Sequence, residues 1–171
     1  MTHETPTETK NLDQYGETPI PWDRTFELLI AAPDQLGTSF FLNTIRPNGT
    51  PHSASFGALW VDGGFLMMSG PGTRKSKNLD ANPACTVTVG LKGIDLVLEG
   101  SAQRVTDKEF LEKAAKSYRE HGWPAEVDGE GFTAPYTAPS GGPPPWNLYR
   151  FTFHTAFGVG EGGATRWRFA H

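Results

Sequence analysis

Residues 65–90 read FLMMSGPGTRKSKNLDANPACTVTVG. The apolar run Phe65 to Ser69 stops at the turn chemistry of Gly70, Pro71 and Gly72, and so reads as a strand. Thr73 to Asn82 reads as a helix of two to three turns, with Thr73 as its N-cap and the Asn82–Pro83 pair as its stop. Cys85, Val87 and Val89 then alternate with Thr86 and Thr88, the period of a half-buried strand.

Working towards the N-terminus, Asp62, Gly63 and Gly64 turn the chain into the Phe65 strand. The β-rich runs Thr38–Ile45 and His52–Trp60, separated by Pro47, Asn48 and Gly49, read as an antiparallel hairpin. Pro21 opens a short amphipathic helix that reaches about Ala32. Residues 1–20 are polar and acidic, resemble neither a signal peptide nor a transit peptide, and read as a flexible tail whose first dozen residues are frayed.

Towards the C-terminus, Ile94, Leu96 and Leu98 alternate with Asp95, Val97 and Glu99 after a turn at Lys92 and Gly93. Thr106 with Glu109 three residues on has the form of a capping box, and Phe110, Leu111, Ala114, Ala115 and Tyr118 form one apolar stripe of a helix ending near His121. Residues 122–146 are rich in Pro, Gly and small polar residues and read as an irregular excursion, either a lid or a disordered loop. Tyr149, Phe151, Phe153 and Phe157, evenly spaced against Arg150, Thr152 and His154, predict a long strand with one aromatic face, and Thr165–Phe169 a last short strand. About seven strands and three helices without βαβ alternation point to a mainly β protein, a small antiparallel barrel with helices at its ends, formed by residues 21–171 as one domain.

Composition agrees. A chain of 171 residues suits one domain, and Gly and Pro make up about a fifth of it, where about 12% is usual, as a turn-rich β protein requires. A net charge of −4 gives no global attraction to nucleic acid or to an acidic membrane. The longest apolar stretches, such as Leu28–Ala32, fall far short of the roughly 20 residues of a membrane span. The single cysteine, Cys85, allows no internal disulfide and suits a reducing, cytoplasmic compartment.

The chemistry lies in the basic turn. Arg74, Lys75 and Lys77 occupy the first turn of the predicted helix, where the partial positive charge of the helix terminus makes each cation cost roughly 0.3–1 kcal/mol. A bound phosphate resolves that conflict, with Arg74 gripping two oxygens, Lys75 acting as a point charge, Thr73 adding a hydroxyl, and Gly70 and Gly72 allowing close backbone approach. The alternative is a solvated basic face capped by Thr73, since the GxG lacks the spacing of either the Walker or the Rossmann loop.

The hairpin RPNGTPHSASFGALW (Arg46–Trp60), the strand FLMMSGPG, the basic turn TRKSKNLDANP and the strand ACTVTV together resemble the pyridoxamine-5′-phosphate-oxidase-like split β-barrel proteins that bind flavin or deazaflavin. The match runs in order over Thr38–Val105, with a weaker echo at Trp146–Val159 and Ala164–Phe169. The resemblance implies a six- to seven-stranded antiparallel split β-barrel, a homodimer with two cofactor sites at the subunit interface, and hydride transfer between FMN or coenzyme F420 and a small organic substrate. It implies Arg74 and Lys75 as the phosphate grip, Ser69 and Thr73 as hydroxyl donors and Asn78 as a further contact. It places Ser55, Phe56 and Gly57 along the cofactor ring, and Trp167 and Arg168 where the family reaches the other subunit's cofactor. Lys77, Arg150, Arg166 and Arg168 are further cations that could serve either the compact phosphate of FMN or the long acidic tail of F420. The Arg and His set of true pyridoxamine-phosphate oxidases has no clear counterpart, so that particular activity is not expected.

Other groups point elsewhere. His52 reads as an ordinary strand histidine near the ring site, and His121 as a helix C-cap. The five histidines lack i, i+4 ligand spacing, so no metal is expected. Cys85 reads as buried and structural, and no GxSxG elbow marks a catalytic serine. Trp60, Trp146 and Trp167 stack on a cofactor or fill the core. With no nucleophile or metal set, the redox chemistry falls to a cofactor. The competing reading is a non-catalytic carrier of flavin, F420 or haem.

Overall fold

The alternating segments become strands of one antiparallel sheet, seen in a computed structural model that describes residues 5–170. In chain order the elements are β1 (Glu8–Asn11), α1 (Trp22–Ala31) with a 3₁₀ turn at Ala32–Asp34, β2 (Phe40–Ile45), β3 (Pro51–Phe56), β4 (Leu59–Val61), β5 (Gly64–Ser69), α2 (Arg74–Ala81), β6 (Ala84–Leu91), β7 (Ile94–Val105), α3 (Lys108–Glu120), β8 (Glu126–Asp128), β9 (Gly131–Thr133), β10 (Asn147–Gly160) and β11 (Gly163–Arg168). The sheet runs β1-β11-β10-β7-β6-β2-β3, and β5, with β4 beside it, branches from β10.

β10 is the spine of this arrangement. One edge pairs with β7 from Leu148 to Gly160, while the other is shared, β5 taking Asn147–Phe151 and β11 taking Thr155–Gly160. The fork coincides with a register shift between Phe153 and Thr155, a bulge that bends the strand and splits the barrel. Gly100 lies opposite Phe153, where a Cβ would stand 1.9 Å from the Thr152 carbonyl oxygen, so only glycine lets β7 pass the bulge. The sheet does not close, and β3 ends it with an open edge.

Two apolar cores result. Leu42, Phe65, Met67, Val87, Leu98 and Phe151 fill the barrel, and Trp22 and Phe26 of α1 cover one end. Leu66, Leu111, Ala114, Phe132 and Leu148 fill a second core under α3. β5 is therefore buried on both faces, which explains why its sequence is a continuous apolar run instead of an alternation. Asp62 and Gly63 turn β4 into β5 with φ of 47° and 80°, the left-handed pair that matches strand twist in a two-residue hairpin. Among the described residues no helix is long and apolar enough to cross a membrane.

Several sequence expectations need correction. Residues 8–11, expected within a frayed tail, form β1, because Glu8–Asn11 pair with Arg168–Thr165 and give β11 a second neighbour; residues 1–4, His3 and His171 lie outside the described residues. The predicted strand His52–Trp60 is two strands, as β3 follows β2 while β4 leaves it after Gly57 to pair with β5. Asp107, not Thr106, caps α3: its carboxylate accepts the Phe110 N–H at 2.8 Å, which puts Glu109 one place too early for a capping box. The excursion at 122–146 is neither disordered nor without structure, since β8 and β9 form a hairpin and Phe132 bridges to Trp146 with Ala125 and Phe132 fully buried. Phe157 leaves the aromatic face of β10, because the bulge inverts the parity and turns Ala156 inward in its place.

Candidate cofactor site

The cations of α2 stand as the sequence predicts. Thr73 caps the helix, accepting the Ser76 N–H at 3.3 Å, and the first turn contains no acidic residue. The N–H groups of the first helical residues have no partner within the helix by geometry. Arg74 is exposed and Lys75 half-buried, and none of the ion pairs among the described residues involves Arg74, Lys75 or Lys77. Burial lowers the Lys75 pKa from its ordinary value.

Two hydrogen bonds tie the C-terminal half of α2 to the sheet. Asn78 donates to the Thr44 hydroxyl of β2 at 3.0 Å, and the Tyr149 hydroxyl of β10 donates to the Asp80 carboxylate at 2.9 Å. These contacts fix the cations to the sheet. Asn78 is fully buried and ties α2 to β2 through its amide N–H, while its Oδ1 is buried without a hydrogen-bond partner.

The hydroxyls are also committed. Ser69 and Thr73 share a 2.6 Å hydrogen bond, and the Thr73 hydroxyl donates to the Gly70 carbonyl at 2.9 Å. They build the cap and hold the turn. Gly70 is required by its own chain, since a Cβ there would lie 2.3 Å from the Gly141 carbonyl oxygen, while nothing lies within 4 Å of one on Gly72. Beside Gly72 and Thr73, between the turn and Gly142 and Pro143, opens a cavity of about 340 Å³.

β3 supplies His52, which the sequence reads as an ordinary strand histidine near the ring site. His52 pairs with Thr44, the residue that Asn78 holds, so its side chain lies on the same face of the sheet as α2. Burial first, and then the charges of Arg46, Arg74 and Lys75, lower its pKa below the ordinary histidine value. Its Nδ1 is buried without a hydrogen-bond partner. No local pattern announces this, because the neighbours of His52 come from three separate segments. A buried, unpartnered nitrogen beside unneutralised cations fits an anionic group. Ser55 points to the opposite, exposed face, with Phe56 turned inward against the barrel core and Gly57 exposed at the end of the strand.

The C-terminal candidates make other contacts within this chain. Trp167 is fully buried in its own barrel, 5.2 Å from the Trp22 ring, and does not reach outward. Arg166 and Arg168 bind Glu8 at 2.5 and 3.3 Å, which holds that carboxyl below its ordinary range. Arg150 donates to the Asp62 carbonyl and lies over the Phe110 ring. Each of these three cations therefore has another partner within the chain. Cys85 is buried and its thiol is pushed up to about 12, so it stays protonated and is no nucleophile. His121 accepts the role of C-cap, its Nδ1 lying 2.8 Å from the Ser117 carbonyl.

Comparison with known proteins agrees with this architecture. The family model described as pyridoxamine 5′-phosphate oxidase matches residues 35–158. Among solved structures, a pyridoxamine 5′-phosphate oxidase-related, FMN-binding protein of Nostoc punctiforme aligns at 16% identity and a TM-score of 0.57, over 89% of this chain and 91% of that one. An F420 reductase aligns at 20% identity and 0.50, over 76% and 94%. A haem-binding protein of Mycobacterium smegmatis aligns at 12% identity and 0.59, over 83% and 57%. A search of curated proteins gives no significant sequence match.

Proposed function

The chain belongs to the pyridoxamine 5′-phosphate oxidase family, and we propose that it is an oxidoreductase that binds FMN or coenzyme F420 at the start of α2 and passes hydride between that cofactor and a small organic substrate. The observation that carries this reading is the pair Arg74 and Lys75, unneutralised at a helix terminus and near enough to His52, whose buried Nδ1 has no partner, for their charge to lower its pKa. The cofactor supplies the hydride chemistry. Arg74 takes phosphate oxygens bidentately and Lys75 adds a point charge from a half-buried position, where low polarity strengthens it. The Ser69–Thr73 cap and the Asn78 and Tyr149 tethers hold these groups before any ligand arrives.

We place the site in a homodimer. Its support is the outer face of β2, where Phe41 and Ile45 are 43% and 41% exposed on either side of Asn43 beside the open β3 edge, apolar surface that a second copy would cover. The activity is tested by titrating the purified protein with FMN, with F420 and with haem while following the visible spectrum, then reducing the complex and screening oxidants. A shifted flavin or deazaflavin band with turnover supports the oxidoreductase. A haem band alone, or binding without turnover, supports the carrier reading, towards which the haem-binding neighbour points.

His52 offers an independent check. Because its lowered pKa owes part of its shift to Arg74 and Lys75, a bound phosphate that neutralises them raises it. In a histidine-resolved NMR titration the His52 midpoint lies below the ordinary value of about 6.5 in the free protein and moves up on adding FMN or F420. A midpoint that stays put places the anion elsewhere.

A further inference from the structure

The anchor leaves unexplained a second cavity, of about 480 Å³, on the α3 side of the β4–β5 ribbon. That volume lies within the range of small-molecule sites. Its lining includes Leu59 and Met68 of the ribbon, Tyr118 of α3, Trp123 and Tyr136 of the excursion, and Asp34.

Two observations show that this cavity is built for a ligand. The Trp123 indole donates to the Tyr136 carbonyl at 2.9 Å, and the Tyr136 hydroxyl donates to the Gly122 carbonyl at 3.3 Å. Tyr136 is 57% exposed, yet these crossed bonds pin it beside Trp123, whose ring also stands edge-on to Tyr118 at 5.4 Å. A preformed aromatic wall binds flat rings with little loss of side-chain freedom. The second observation is charge: no lysine or arginine is among the described lining residues, and its two ionisable side chains besides tyrosine are Asp34 and His121, whose Nδ1 is engaged with the Ser117 carbonyl. The start of α2 gathers cations, whereas this cavity offers an anion no lysine or arginine and sets a carboxylate beside it.

Gly57 connects the two regions. It lines the cavity, follows Phe56 at the end of the β3 edge, and nothing lies within 4 Å of a Cβ built on it. We propose that the cavity takes the substrate, an uncharged, flat aromatic molecule of one or two fused rings laid against Trp123 and Tyr136. Only the word substrate rests on the cofactor reading; the binding does not.

The test is equilibrium dialysis without added cofactor, using 2-naphthamide and quinoxaline-2-carboxamide against 2-naphthoate and quinoxaline-2-carboxylate. At least one amide binds, and its carboxylate binds at least tenfold more weakly. Trp123→Ala, which removes a wall, and Ala138→Trp, which fills the cavity from its exposed rim, each weaken amide binding at least tenfold while the FMN and F420 titrations stay within twofold. The proposal is overturned if neither amide binds, if the carboxylates bind equally well, or if both variants bind like the parent. Amide binding of this pattern with no cofactor titration keeps the cavity and overturns the oxidoreductase reading. Cofactor titration without amide binding does the reverse.

Discussion

Replacing Arg74 and Lys75 together by alanine weakens binding of FMN or F420 at least a hundredfold and leaves the protein as stable as before or slightly more so. The two effects have opposite signs for one reason. In the free protein both cations face the positive end of α2, and no ion pair among the described residues offsets them; removing them relieves roughly 0.3–1 kcal/mol each. In the complex each contributes a charge-assisted contact of about 1.5–3 kcal/mol, and both are lost. A spectral titration beside a thermal melt reads the two effects. An ordinary surface patch gives no change in affinity, and a structural role for the cations gives a lower melting temperature; either result removes the anchor.

Trp167→Ala has the other large effect, and it falls on stability. Trp167 is fully buried with Trp22 at 5.2 Å, and Gly158 lies so close beneath it that a Cβ there would stand 2.8 Å from the indole ring. Truncating such a side chain costs about 3–5 kcal/mol, a large share of the 5–15 kcal/mol that holds an ordinary domain together. Urea unfolding monitored by circular dichroism shows the midpoint falling steeply, while the protein still folded at low urea binds cofactor as before. A variant that keeps its midpoint and loses cofactor binding returns Trp167 to the site that the family resemblance implied.

Much of the molecule was legible because its signals are local. The helix of residues 74–81, its Thr73 cap and its stop before Pro83 depend on residues within a few positions of one another, and all appear as read. The same holds for the alternation in β6 and β7. The cations were legible too, since a basic first turn conflicts with the helix dipole whatever surrounds it. The errors arose where distant segments set the outcome. Glu8 claims Arg166 and Arg168 only because β1 pairs with β11. Phe157 turns outward only because β7 and β10 shift register at Gly100. Asn78 is spent on Thr44, 34 residues away.

Residue pattern alone therefore determined a turn-rich antiparallel protein with a charged helix start, because periodicity, capping and turn chemistry act within one or two turns of chain. Tertiary structure decided which polar groups remain free. Whether a side chain reaches solvent, a ligand or a neighbour depends on strand order and register, which bring His52 to the cations, bury Trp167, and tie Trp123 to Tyr136. Those choices are made by pairings between segments far apart in the chain, where the free energy of burial outweighs any local preference.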